Sequence, residues 1–222
     1  AHSSLSSVGL VVGLGVGAVI VVALALAGVL WKRDTASATV RRIAVLPFEN
    51  EGAAGDEYFA DGMTDEVRSR LASINGMQVT ARASSSQYKK TAKTPKDIGK
   101  ELSVQYLLTG TVRWSKENGV NRVRITPELI EVSNQSSKWT QAYDTVLSNV
   151  FDVQSTIASQ VAQALNVALA PPEAARIAQK PTTSLDAYDE FLKGEQITQS
   201  MGTSDGIVLG KGLEHYTKAV AL

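Results

Sequence analysis

Three acids, Asp56, Glu57 and Asp61, lie where a glycine-containing loop at residues 49–56 gives way to an apolar pattern of helical spacing. A strand's carboxyl end feeding a helix N-terminus offers backbone N–H groups to an anion. The acidic charge opposes that use. The competing account makes Asp61 a helix cap, with Tyr58 and Phe59 packed into the core. Arg82, Ser84, Ser85 and Ser86 form a second polar group, suited to contact with a ligand or simply to turn formation. Asp65 and Glu66 are paired acids, but adjacent helix positions do not face one another and cannot act on one atom. Lys89, Lys90, Lys93 and Lys96 make a basic loop, open to an anionic surface or only to solvent. The loop-contact candidates are therefore Asp56, Glu57, Asp61, Arg82, Ser84 and Ser85. No catalytic, cofactor-binding or metal-binding residue is picked out.

The composition narrows the chemistry further. The 222 residues include no cysteine, which excludes disulfides, thiolate catalysis and cysteine-ligated metals. The 2 histidines, His2 and His215, stand near opposite ends, which speaks against a histidine metal site or a Ser–His–Asp triad. Lys plus Arg and Asp plus Glu number 22 each, so no basic excess points to nucleic acid as a partner.

The elements that must position these residues are readable in order. After a polar linker at 1–7, residues 8–31 are uncharged and mostly apolar, long enough for one transmembrane helix, with Trp31 at its edge and Lys32 and Arg33 beyond. Gly9, Gly13 and Gly17 share one face of that helix, the small-residue spacing of a homodimer contact. A linker at 32–40 follows. Residues 42–48 (RIAVLPF) read as a strand buried on both faces, stopped by Pro47. Met63, Val67, Leu71 and Ile74 predict a helix over 61–74, capped by Asp61 or Thr64 and stopped by Asn75-Gly76. A strand at 77–81 completes a βαβ unit. Pro95 opens a short helix to about residue 102.

From Tyr106 the period becomes two. Strands are predicted at 106–114, 122–129 and 138–145, with a hairpin at Asn118-Gly119. Pro127 argues for an edge or a bulge. Val153, Ile157, Val161 and Leu165 predict a helix over 151–169, ended by Pro171-Pro172. The expected fold class is α+β, a mixed sheet of about five strands with about three helices over 41–170. A proline-containing linker at 171–183 leads to a helical segment at 184–222.

The stretches RRIAVLPFEN (41–50), DEYFADGMTDEV (56–67), VTARASSSQYK (79–89), DIGKELSVQYLLTGTVR (97–113) and NRVRIT (121–126), with 139–144, resemble the amino-terminal α/β domain of TolB and TolB-like domains of bacterial membrane regulators. SLDAYDEFLKG (184–194) and GLEHYTKAVAL (212–222) resemble the two helices of a first tetratricopeptide unit, with Tyr216 and Ala219 at the aromatic and small positions. Further repeats would have to follow, since one repeat cannot bury its own face. The resemblance implies a membrane-anchored protein-interaction or sensory module of a bacterial signalling protein. It places the globular part in the periplasm behind a single pass through the inner membrane, against Lys32, Arg33, Arg41 and Arg42, whose charge after the span favours the cytoplasmic side. Implied partners are the lipid bilayer and other proteins. The enzymatic alternative makes this chain the sensor half of a serine/threonine protein kinase or adenylate cyclase, with the catalytic domain ahead of Ala1. A third reading, assembly through the sheet near 122–129, is opposed by Pro127.

Overall fold

The computed structural model describes residues 40–117, 120–200 and 206–222. Strand β1 (Arg41–Val45) is apolar from Ile43 onward because both its faces are covered. Ile43 and Val45 enter the main core, while Ala44 and Leu46 enter a smaller cluster on the opposite face. After Pro47, the chain makes a two-residue strand β2 (Glu49–Asn50), then helix α1 (Glu57–Ala72). Gly76, at φ 82°, takes the left-handed turn that glycine permits, and β3 (Met77–Val79) runs parallel to β1.

Helices α2 (Arg82–Ser85) and α3 (Pro95–Glu101) lead to β4 (Tyr106–Glu117), parallel to β1 on its other side. The Thr94 hydroxyl caps α3 by accepting from Asp97 N at 3.2 Å. Strand β5 (Val120–Glu131) returns antiparallel along the whole of β4, with Glu117 opposite Val120. Strands β6 (Ser136–Thr140) and β7 (Tyr143–Val146) both pair with β5. The seven-stranded sheet has the order β3-β1-β4-β5-β6, with β2 on β4 and β7 on β5. Helices α1 and α4 (Val150–Ala164) cover the main-core face. The chain continues through α5 (Pro171–Ile177), α6 (Leu185–Ser200) and α7 (Gly206–Ala221).

The expected fold class needs correction: among the described residues the sheet has seven strands rather than about five, and there are seven α-helices, four of them within 41–170 where about three were expected. Pro47 divides the first strand region into β1 and β2. Pro127 lies in neither an edge strand nor the bulge, which falls at Leu129/Ile130. It sits instead at the break where β5's second neighbour changes from β7 (Ile125 opposite Tyr143) to β6 (Glu128 opposite Thr140). A proline brings no N–H to a ladder, so the expected strand 138–145 is interrupted there. Gly110, opposite Pro127, admits the close approach; a Cβ would stand 2.9 Å from Thr126 O.

Helix α1 begins at Glu57, a turn ahead of the expected start, so Asp61 lies inside it and not at its cap. The Thr64 hydroxyl accepts from Phe48 N at 2.9 Å and donates to Ala60 O at 2.8 Å.

No helix among the described residues is long and apolar enough to cross a membrane. The longest hold 16 residues, about 24 Å at 1.5 Å per residue, against a hydrocarbon core of about 30 Å. Against the expected transmembrane architecture and single-pass inner-membrane location, the described residues supply no such helix. Residues 8–31, with Gly9, Gly13 and Gly17, lie outside the described residues, as does the Asn118-Gly119 turn. The lipid bilayer as partner rested on the same stretch.

Candidate functional site

The chain leaves β1 through α1 to reach β3 on one side, then returns through α3 on the opposite face to β4 on the other side. The carboxyl end of β1 is thus a topological switch point, where open α/β sheets form a crevice. A cleft of about 330 Å³ opens there, floored by Val45 and Pro47.

Glu57, Asp61 and Asp65 recur every four residues and so line one face of α1. Each meets cations from elsewhere in the chain. Lys89 Nζ lies 2.6 Å from Asp61 Oδ1 and 2.8 Å from Glu57 Oε1. Burial works against the Lys89 ammonium, but the hydrogen bonds to Asp61 and Glu57 outweigh it and raise its pKa. Asp65 is 2.7 Å from Arg68 Nη2 and also pairs with Arg82. Burial raises the Asp65 pKa, against the pull of Arg82 and Arg68. The Arg82 guanidinium also donates to Gln199 Oε1 of α6. Gln196 and Gln199 supply one wall of the cleft, so the site straddles the sheet body and the α6–α7 pair.

Of the sequence candidates, Glu57, Asp61, Arg82 and Ser85 come together at this cleft, and Ser85 is buried. Asp56 precedes α1, Ser84 lies in α2, and neither lines the cleft. Sequence reasoning missed Asp65 as a cleft residue, although its spacing from Asp61 was readable. It also missed Arg68 and the two glutamines, and it read Lys89 only as part of a basic loop. Lys89 lies 28 positions from Asp61, and no local signal joins them. Among the described residues, no group of three or more His, Asp or Glu side chains is placed to hold a metal ion.

The seam behind the cleft is closely fitted. A Cβ on Gly62 would collide with Leu192 Cδ2, so only glycine lets α6 lie this close to α1. Tyr58 donates to Asp189 at 2.6 Å, and burial together with Asp189 raises the tyrosine's pKa. Buried Arg70 donates to the carbonyls of Ile177 and Gln179 and to Gln154 Oε1, whose amide donates to Tyr188 at 3.2 Å. Beyond α6, the pairs Glu190–His215, Gly194–Tyr216 and Thr198–Gly212 show α7 running antiparallel to it.

These features define a mixed α/β body with a polar crevice and a docked helical pair. No family model matches the chain. Among curated proteins it is similar to putative adenylate cyclase 3 of Rhizobium meliloti (strain 1021), 36% identical over 157 residues. The match takes in 69% of this chain and 26% of that protein, so the chain spans about a quarter of the relative's length. Among solved structures, the fold resembles TolB from Acinetobacter baumannii (TM-score 0.44, 14% identity, 57% of this chain and 28% of that one). It also resembles lipoprotein GNA1162 from Neisseria meningitidis (TM-score 0.41, 18% identity, 55% and 99%). A third is the PelC dodecamer from Paraburkholderia phytofirmans (TM-score 0.41, 18% identity, 59% and 90%).

Proposed function

We propose that this chain is a protein-interaction module of a larger signalling protein, with α6 and α7 acting as a first tetratricopeptide-like unit. The observation that carries the reading is the apolar side of α7. Leu209 is 45% exposed, Leu213 65% and Val220 90%. Leu209, Leu213 and Val220 follow the four-and-seven spacing of a single helix face. A row of large apolar side chains left in water marks a surface that another protein covers. The packing of Tyr216 over Gly194 supports the repeat-like assignment, since small and aromatic positions are what such a helix pair uses.

The test is a pair of photo-crosslinking residues at positions 213 and 220 of the full-length protein. Crosslinks are expected at both positions, lost on adding Leu209→Glu with the circular dichroism spectrum unchanged. Absence of crosslinks at both positions would count against the reading.

A second reading makes the larger protein an adenylate cyclase, with this chain as its non-catalytic part. The similarity to a putative adenylate cyclase favours it over a kinase. Full-length protein is then expected to convert ATP to cyclic AMP, and the 222-residue chain alone to make none. Cyclic AMP from the chain alone would remove the non-catalytic assignment.

A further inference from the structure

We propose that the cleft at the end of β1 binds a small zwitterion of dipeptide size, its carboxylate held at the Arg68–Arg82 end and its ammonium at the Glu57–Asp61 end. This site is separate from the α7 stripe and does not depend on it.

The charges of the cleft are shared unevenly along its length. At one end, two guanidiniums, Arg68 and Arg82, share a single carboxylate, Asp65. That end carries a surplus positive charge. At the other end, one ammonium, Lys89, is shared by two carboxylates, Glu57 and Asp61. That end carries a surplus negative charge. Glu195 on α6, which accepts from Gln199 at 2.6 Å and Tyr216 at 2.8 Å, keeps its charge but does not line the cleft. The charged residues that do line it sum to zero yet are dipolar along its length. A wholly cationic or wholly anionic guest is matched at one end and opposed at the other. A zwitterion is matched at both.

Spacing then selects the length of the guest. Asp61 and Asp65, one carboxylate from each end, stand one helical turn apart, which is about 6 Å along the axis. Two extended residues span about 7 Å. The volume of about 330 Å³ accommodates a guest of that size. Arg68 Nε is buried without a hydrogen-bond partner, a spare donor at the cationic end. Ser85 Oγ makes only long contacts, 3.3 Å to Arg82 O and 3.5 Å to Ala81 O, so it can turn to a peptide group. Because Gln196 and Gln199 belong to α6, a bound guest touches both the sheet body and the helical pair.

Isothermal titration calorimetry of the full chain tests this with four probes: L-alanyl-L-alanine, its N-acetyl form, its C-terminal amide and L-alanine. Dialanine is expected to bind, and blocking either terminus to weaken binding about tenfold, the worth of one charge-assisted contact. Alanine is expected to bind more weakly than dialanine. Arg82→Met should erase the preference for dialanine over its amide. Lys89→Met, which leaves two carboxylates unmatched, should tighten binding of the amide. No heat from dialanine at millimolar concentration overturns the proposal. So does equal binding of dialanine and its blocked forms to the unaltered chain, which requires no variant to fold. Tighter binding of alanine than of dialanine overturns the spacing argument and with it the dipeptide assignment. The α7 crosslinking result is independent of all these outcomes.

Discussion

Arg70 has 6% of its surface exposed, and its guanidinium is spread over the carbonyls of Ile177 and Gln179 and the side chain of Gln154. Glu66 stands 3.7 Å away as its nearest carboxylate. Removing a buried cation with several acceptors leaves those acceptors desolvated and unpaired. Arg70→Ala is therefore expected to cost about 3 kcal/mol in urea unfolding. Arg70→Lys should recover little, because an ammonium cannot reproduce the planar fork. A loss below about 0.5 kcal/mol, the range of ordinary surface changes, would show that the network is idle.

Glu173 is a second such residue. Its carboxylate accepts from Asn75 N at 2.7 Å and Ala170 N at 2.9 Å, and those two backbone bonds lower its pKa. A depressed carboxylate contributes stability that is present above its unfolded pKa, about 4.3, and is lost as pH falls through the folded value. The stability gap between the wild type and Glu173→Gln should be constant above about pH 5 and shrink on acidification through this window. A gap that widens toward low pH would contradict the assignment. Neither residue was legible as structural in the sequence. The helical pattern of α1 places Arg70 with the polar positions, and its partners Gln154, Ile177 and Gln179 come from segments far along the chain.

At the scale of elements, what was legible is what local spacing controls. The run IAV in β1 is uniformly apolar because alternate residues feed two different clusters, and the unbroken apolar run by itself signals a strand covered on both faces. The four-residue recurrence of Met63, Val67 and Leu71 likewise fixes the buried side of α1. The start of α1 is not legible in the same way. Asp61 has the chemistry of a cap, yet a 3-10 turn at Ala54–Asp56 feeds the helix a full turn earlier. The cleft was half legible: the acids and Arg82 could be singled out by type, but not the distant Lys89 or the glutamines of α6. Contacts between elements are the missing information.

Gly62 illustrates the point, since its role depends on Leu192, 130 positions on (192 minus 62). Gly62→Ala should push α6 from α1 and cost about 1–3 kcal/mol, although alanine favours a helix intrinsically. Combining it with Leu192→Ala should cost less than the sum of the two single changes, because the new methyl enters the space that leucine vacates. Strict additivity in a double-mutant cycle would place the conflict elsewhere.

Across the whole molecule, α6 behaves as part of the body and α7 as its outer layer. Tyr188 and Leu192 of α6 belong to the main core, together with Ile177 of α5, and Tyr188 stacks edge-on to Phe151 at 4.8 Å. By contrast, among the described residues α7 adds nothing to that core cluster, and Tyr216 and Gly212 pack it against α6. Residues 171–183 are tied down as well, since Arg70 and Ser155 both donate to Ile177 O. Two truncations should therefore differ sharply. Ending the chain after Ser200 removes α7 and an apolar surface that was already largely in water, so stability should fall by about 1–2 kcal/mol, near the burial of one side chain. Ending it after Gln179 strips Tyr188 and Leu192 from the core, leaves Gln154 without Tyr188 and opens one wall of the cleft. That loss should exceed about 3 kcal/mol, counting two large side chains at about 1.5–3 kcal/mol each. The second truncation should also lower the urea midpoint and the slope of unfolding together, since less surface is left to expose. Equal midpoints for the two truncated chains would mean that α6 merely rests on the body. The cleft would then lack the rigid wall that Gln196 and Gln199 give it.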